Sequence, residues 1–125
     1  MKDMRHSAKV LKDELYKQLA RIGKSLSSDK RLEILNLLSQ GSKTVEKLAA
    51  YTEMNYANVS RHLQILLEAK LVKFTKVGTY AVYSLADPAI ADFLSSLWRI
   101  SQRQLPDIGK LKEDFLKNMD EVQTL

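Results

Sequence analysis

Val10, Leu11, Leu15, Leu19 and Ile22 recur at three- and four-residue steps with lysines and acids between them. That period predicts an amphipathic helix over residues 8–26. The residues ahead of it, His6 included, read as a frayed end. Ser28 followed by Asp29 predicts a second helix start, with a hydroxyl for the free amides and an acid in the positive first turn. Leu32, Ile34, Leu35, Leu37 and Leu38 fill that helix and Gly41 closes it. A short third helix starts near Thr44 and runs through Val45, Leu48 and Ala49. Asn55 caps a fourth that runs to about Lys70. The period then changes. LVKFTKV at 71–77 alternates, and YAVYSL at 80–85 is aromatic and β-branched, so a hairpin is expected with Gly78 in its tight turn. Asp87 and Pro88 open another helix carrying Ile90, Phe93, Leu94, Leu97 and Trp98, which Pro106 breaks or kinks. A last amphipathic segment holds Ile108, Leu111, Phe115 and Leu116.

Two short helices around a tight turn, followed at once by a hairpin, describe a winged helix-turn-helix: mainly α, with a β-hairpin wing. The helix-turn-helix spans 44–70 and the wing 71–85, within one domain of 125 residues. On the fourth helix, Val59, His62, Leu63, Leu66 and Leu67 share one side. Ala57, Ser60, Arg61 and Gln64 share the other, with Tyr56 and Asn58 flanking them near Asn55. Small residues let a helix approach a groove closely. Arg pairs with guanine edges, and Asn or Gln with adenine. Lys70, Lys73 and Lys76 supply charge for phosphates, and Thr79 sits at the wing tip. Any surface helix carries a polar stripe, so a protein-interaction module and a non-specific DNA-coating protein stand beside sequence-specific binding. Tyr56 either touches the duplex or packs on the turn. Tyr80 and Tyr83 read as packing residues. His62 reads as an inner histidine bonded to backbone rather than a metal ligand.

Twenty Lys and Arg against 15 acids give a net charge of +5, which suits a nucleic-acid partner without proving one. With no cysteine and two histidines there is no disulfide framework, thiolate metal site or thiol switch. No Ser or carboxylate has a histidine at readable spacing and no Gly-rich phosphate loop is present, so no enzyme is expected, and no cofactor. No apolar run approaches the ~18 residues of a membrane helix. The opening MKDMRHSAKVLKDELYK lacks the apolar stretch of a secretory leader, placing the chain in the cytoplasm without a membrane partner.

The run VSRHLQILLEAKLVKFTKVGTYAVYSL at 59–85 resembles the ArsR/SmtB family of bacterial winged-helix repressors. The shared positions are Val59, Ser60, His62 and Leu63, then Leu66, Ala69, Leu71 and Val72, then Tyr83 and Leu85. LSSDKRLEILNLL at 26–38 and TVEKLA at 44–49 resemble that family's earlier helices, so the likeness covers about 16–98. The resemblance implies a homodimer that reads an inverted repeat in promoter DNA. It implies pairing through the first helix (8–26) and the terminal helices (88–119), with Leu11, Leu15, Leu19, Leu94, Leu97 and Trp98 in the interface. Two positions depart from the pattern. Glu53 stands where the turn often has Gly, costing about 1 kcal/mol if φ there is positive. Thr79 stands where the wing tip is often basic. The metal sites of the family are also lost. Thr44 and Glu46 replace the cysteines of the third-helix site. Asp87, Ala89, Ile100 and Arg103 match the last-helix site, and Asp87 alone keeps a ligand type. The paired cysteines of sulfur-responsive relatives are missing. The effector is then a small organic molecule in an apolar gap near Trp98, or there is none. Some members with a similar opening carry a rhodanese domain after the last helix, so the chain reads as a stand-alone relative or as the DNA-binding part of such a protein.

Overall fold

The computed structural model describes the backbone of residues 2–105 and 108–124 and the side chains of 3–105 and 110–119. The elements run α1 (Lys2–Ser25), α2 (Asp29–Leu38), β1 (Lys43–Thr44), α3 (Val45–Thr52), α4 (Tyr56–Glu68), β2 (Val72–Val77), β3 (Tyr80–Leu85), α5 (Pro88–Gln104) and α6 (Ile108–Thr124).

Four helices start on a side-chain cap. Ser28 Oγ accepts from Arg31 N, Thr44 Oγ1 from Lys47 N, Asn55 Oδ1 from Asn58 N and Asp87 Oδ1 from Ala89 N, at 2.8–3.3 Å. Each bond satisfies one amide that the first turn leaves open. α2 is the centre of the core: Ile34, Leu35, Leu37 and Leu38 are all buried, so it is covered on several sides. Leu48 from α3 and Val59, Leu63 and Leu66 from α4 close on it. Each such side chain contributes roughly 1.5–3 kcal/mol relative to exposure.

The sheet is antiparallel with order β1-β3-β2. Val72 faces Leu85 at one end of the hairpin and Val77 faces Tyr80 at the other. Gly78, at φ 63°, takes the first position of the two-residue turn. Thr79 stays outside the positive-φ region, as in a type II′ turn. β1 pairs Lys43 with Tyr83 and Thr44 with Val82. It was not expected, since two residues carry no period to read. Lys43 is buried there, with Nζ donating to the Gly41 carbonyl at 3.2 Å and lying 5.9 Å above the Tyr51 ring.

Three boundaries differ from expectation. α1 begins at Lys2 rather than near residue 8, so His6 is helical. Lys2–Lys9 contains no Gly or Pro, and Asp3 favours the first turn, so the helix continues without an apolar stripe to announce it. α2 ends at Leu38 with Ser39 as cap, and Gly41 lies beyond it at φ 142°. α4 ends at Glu68 rather than Lys70.

Leu105, ahead of the proline, is extended, as the clash with a following ring requires. The expected break at Pro106 itself lies outside the described residues. α6 does not simply prolong α5. Phe115 packs on the core and Met119 enters it, with Gln40 Nε2 3.7 Å from Met119 Sδ. Lys112 Nζ lies 5.3 Å from the centre of the Trp98 ring. Among the described residues no helix is long and apolar enough to cross a membrane.

Candidate nucleic-acid interface

The turn between α3 and α4 rests on one residue in an unusual conformation. Glu53 ends α3 at φ 56° and ψ 30°, the left-handed region that favours glycine. The chain reverses there and Asn55 begins α4. Asn55 Oδ1 is occupied by the cap, so this member of the expected DNA-contacting set acts first on the helix itself.

From Tyr56 onward α4 has two faces. Val59, Leu63 and Leu66 are fully buried against α2 and α3. Tyr56, Ala57, Arg61 and Gln64 are exposed, and Asn58 and Ser60 are half-buried at the edge. The structure therefore brings the expected base-reading residues onto one outward surface. Among the described residues Arg61 forms no salt bridge. Gln64 Nε2 leans toward Glu68 Oε1 at 3.4 Å, a weak contact within the helix.

α4 is joined to the wing by a tight exit. Lys70 is at φ 61°, Lys70 N donates to Leu67 O and Leu71 N to Leu66 O. This pair of bonds is a Schellman motif with a lysine in the place where glycine is usual. Leu71 O in turn accepts from Ala86 N at 3.0 Å.

Lys73 and Lys76 are both exposed on β2, but an odd spacing in a strand puts them on opposite faces. Lys76 shares its face with Phe74, which stacks on Tyr83 at 5.3 Å between ring centres. Burial raises the Tyr83 hydroxyl above its ordinary range and the nearby Tyr56 hydroxyl adds to this. Lys76 is thus on the face turned toward the start of α4, and Lys73 on the other. Thr79 is exposed in the turn.

His62 is half-buried behind the reading face. Its partner is not backbone, as expected, but Arg31 of α2: Nη1 lies 3.3 Å from Nδ1. Burial, then the Arg31 and Arg61 guanidinium groups, lower its pKa below the ordinary 6.5. A neutral ring then accepts the arginine N–H. Arg31 Nε also donates to Ser25 O at 2.6 Å, so one side chain ties α1, α2 and α4.

The residues expected at a dimer interface divide. Leu11, Leu15 and Leu19 follow one stripe of α1 and are each close to 60% exposed. Leu94 is 4% exposed and belongs to the core of the single chain. Leu97 and Trp98 face α2, where Trp98 Nε1 donates to Asn36 Oδ1 at 3.3 Å. Phe93 and Ile100, seven positions apart, are the large apolar residues of α5 left exposed. Asp87 caps α5 with its Oδ1.

Fold and site together define a winged helix-turn-helix DNA-binding transcription regulator, with a basic wing beside an outward-facing second helix. The family model for bacterial regulatory proteins of the arsR family matches residues 28–73. The chain is 38% identical over 85 residues to the arsenical resistance operon repressor of Bacillus subtilis, covering 67% of this chain and 81% of that protein. It belongs to the arsR family. It is also 34% identical over 113 residues to the transcriptional regulator Rv0324 of Mycobacterium tuberculosis, covering 90% of this chain but only 50% of that relative. Among solved structures, the homodimeric winged helix-turn-helix DNA-binding domain of Mb0332 from Mycobacterium bovis is 36% identical with a TM-score of 0.71, over 75% of this chain and 87% of that one. Rv0081 of M. tuberculosis is 32% identical with a TM-score of 0.69, over 74% and 94%.

Proposed function

We propose that this chain is a homodimeric repressor that binds an inverted-repeat operator in double-stranded DNA and responds to neither metals nor thiol chemistry. The observation that carries the reading is the outward face of α4. Tyr56, Ala57, Ser60, Arg61 and Gln64 lie together there, beside a wing that carries lysines. An α-helix of this kind fits the major groove, where base edges are distinguishable. Arg61 and Gln64, with Ser60, Asn58 and Tyr56, read bases. Lys70 and Lys76 hold phosphates on the α4 side, while Lys73 lies on the opposite face of the wing, away from this grip. The apolar stripe of α1 needs a partner, and a second copy supplies it symmetrically, with Phe93 and Ile100 of α5 joining the interface. Without cysteine, the soft ligands of metalloid and persulfide sensing are missing.

Selection of bound duplexes from a random-sequence pool at near-physiological salt tests this. Enrichment of one inverted repeat, with half-sites about one helical turn apart, is the expected result. Retention without enrichment makes the protein a DNA-coating one. No retention makes the fold an interaction module.

A further inference from the structure

A cavity of about 310 Å³ lies between α2, α5 and α6. Its apolar wall is Leu32, Leu94, Leu97, Trp98 and Phe115. Its charged groups are both acidic, Asp29 and Glu33 of α2. Two cations touch its walls from outside the lining: Lys30 Nζ is 3.7 Å from Glu33 Oε2, and Lys112 Nζ lies 5.3 Å from the centre of the Trp98 ring. The pocket opens to solvent, and an apolar cleft on which a few polar groups converge is the usual form of a ligand site. The volume holds roughly ten atoms of water's size. The lining does not suit a metal ion. It is mostly carbon, and among the described residues no group of three or more His, Cys, Asp or Glu could hold one.

We propose that this cavity binds a small amphipathic organic cation, an aromatic or branched aliphatic amine, with its body against Trp98 and Phe115 and its ammonium group at Glu33. The electrostatics support the charge. Burial raises the Glu33 carboxyl above its ordinary range even though the Lys30 ammonium beside it pulls the other way. A bound ammonium group offsets that cost. A route outward runs along α2, where Arg31, next in sequence to the cavity-lining Leu32, reaches His62 of α4 at 3.3 Å. A ligand seated against α2 bears on the helix that carries this link. Occupancy therefore changes how α4 is held. This regulatory half rests on the repressor reading above; the binding half does not.

Trp98 is the only tryptophan of the chain, so its emission reports the cavity directly. Phenethylamine is the probe, and phenylpropionate is the control with a similar ring and chain and the opposite charge. The amine should change the emission saturably, with a dissociation constant on the order of 1 mM or tighter. Phenylpropionate and the E33Q variant with the amine should each be weaker by about tenfold. Phe115→Ala, which opens the α6 side, should also weaken the amine. No saturable change, equal binding of the acid, or unaltered binding by E33Q overturns the site. With saturating amine, retention of the selected duplex should change several-fold, and unchanged retention overturns the coupling alone. If no duplex is retained without amine, the repressor reading and the coupling fall together, while the emission titration still decides the site.

Discussion

Arg31 of α2 and His62 of α4 meet at 3.3 Å, guanidinium to imidazole, directly behind the face that carries Arg61. The contact requires an unprotonated Nδ1, and its surroundings oppose a charged ring. Because the folded pKa lies below the ordinary 6.5, the unfolded chain takes up this proton first as pH falls. The contribution to stability is complete above pH 6.5 and is lost as pH drops below it through the folded pKa. Denaturation midpoints measured across this window should decline for the wild type. His62→Gln, which keeps an acceptor and does not titrate, should flatten that decline. Parallel curves for the two proteins would remove His62 as the cause.

Glu53→Gly should stabilise the fold by about 0.5–1 kcal/mol, because glycine adopts the left-handed conformation without a Cβ penalty. It also removes a negative charge that acts on Glu33. A higher urea midpoint with an unchanged slope is the expected readout, and a lower midpoint would mean that the Glu53 side chain supports the turn.

Arg61→Ala should cost ~1–3 kcal/mol of operator affinity and relax selectivity at one position in each half-site. Repeating the duplex selection with the variant checks this. If the same consensus returns at the same affinity, Arg61 does not read a base.

The two wing lysines should differ. Lys76→Ala should weaken all duplexes alike and flatten the dependence of log affinity on log salt by about one unit. Lys73→Ala, on the opposite face, should leave the slope nearly unchanged. Equal effects would mean that the hairpin stands between two phosphate walls rather than lying against one.

Leu15→Glu should leave the protomer folded, because Leu15 is 58% exposed and contributes little to the core. It should halve the mass measured by light scattering if α1 pairs two copies. A dimer of undiminished strength would move the interface off α1.

The parts of this fold that could be read in the sequence were those with a local cause. Ser28, Asn55 and Asp87 cap helices because their side chains reach amides two or three residues on. Gly78 makes the turn because the adjoining strands demand its φ. Long-range features carried no local mark. The two residues of β1 pair with a strand almost forty positions away, and Met119 reaches the core only because α6 turns back. Lys70 is a left-handed residue that composition does not betray. The wheel of α4 separated the outward side from the core, with Val59, Leu63 and Leu66 buried, but α5 was harder. Its apolar residues point in more than one direction, so Leu94, Leu97 and Trp98 could not be told from Phe93 and Ile100 until α2 and α6 were in place. The strand period was enough to show that Lys73 and Lys76 diverge.

Leu71 is bonded on both sides of the joint between α4 and the wing: its amide to Leu66, its carbonyl to Ala86. One residue thus pins the end of the helix and the base of the hairpin together. If helix and wing meet one duplex, as proposed, the distance between their contacts is set at this single residue.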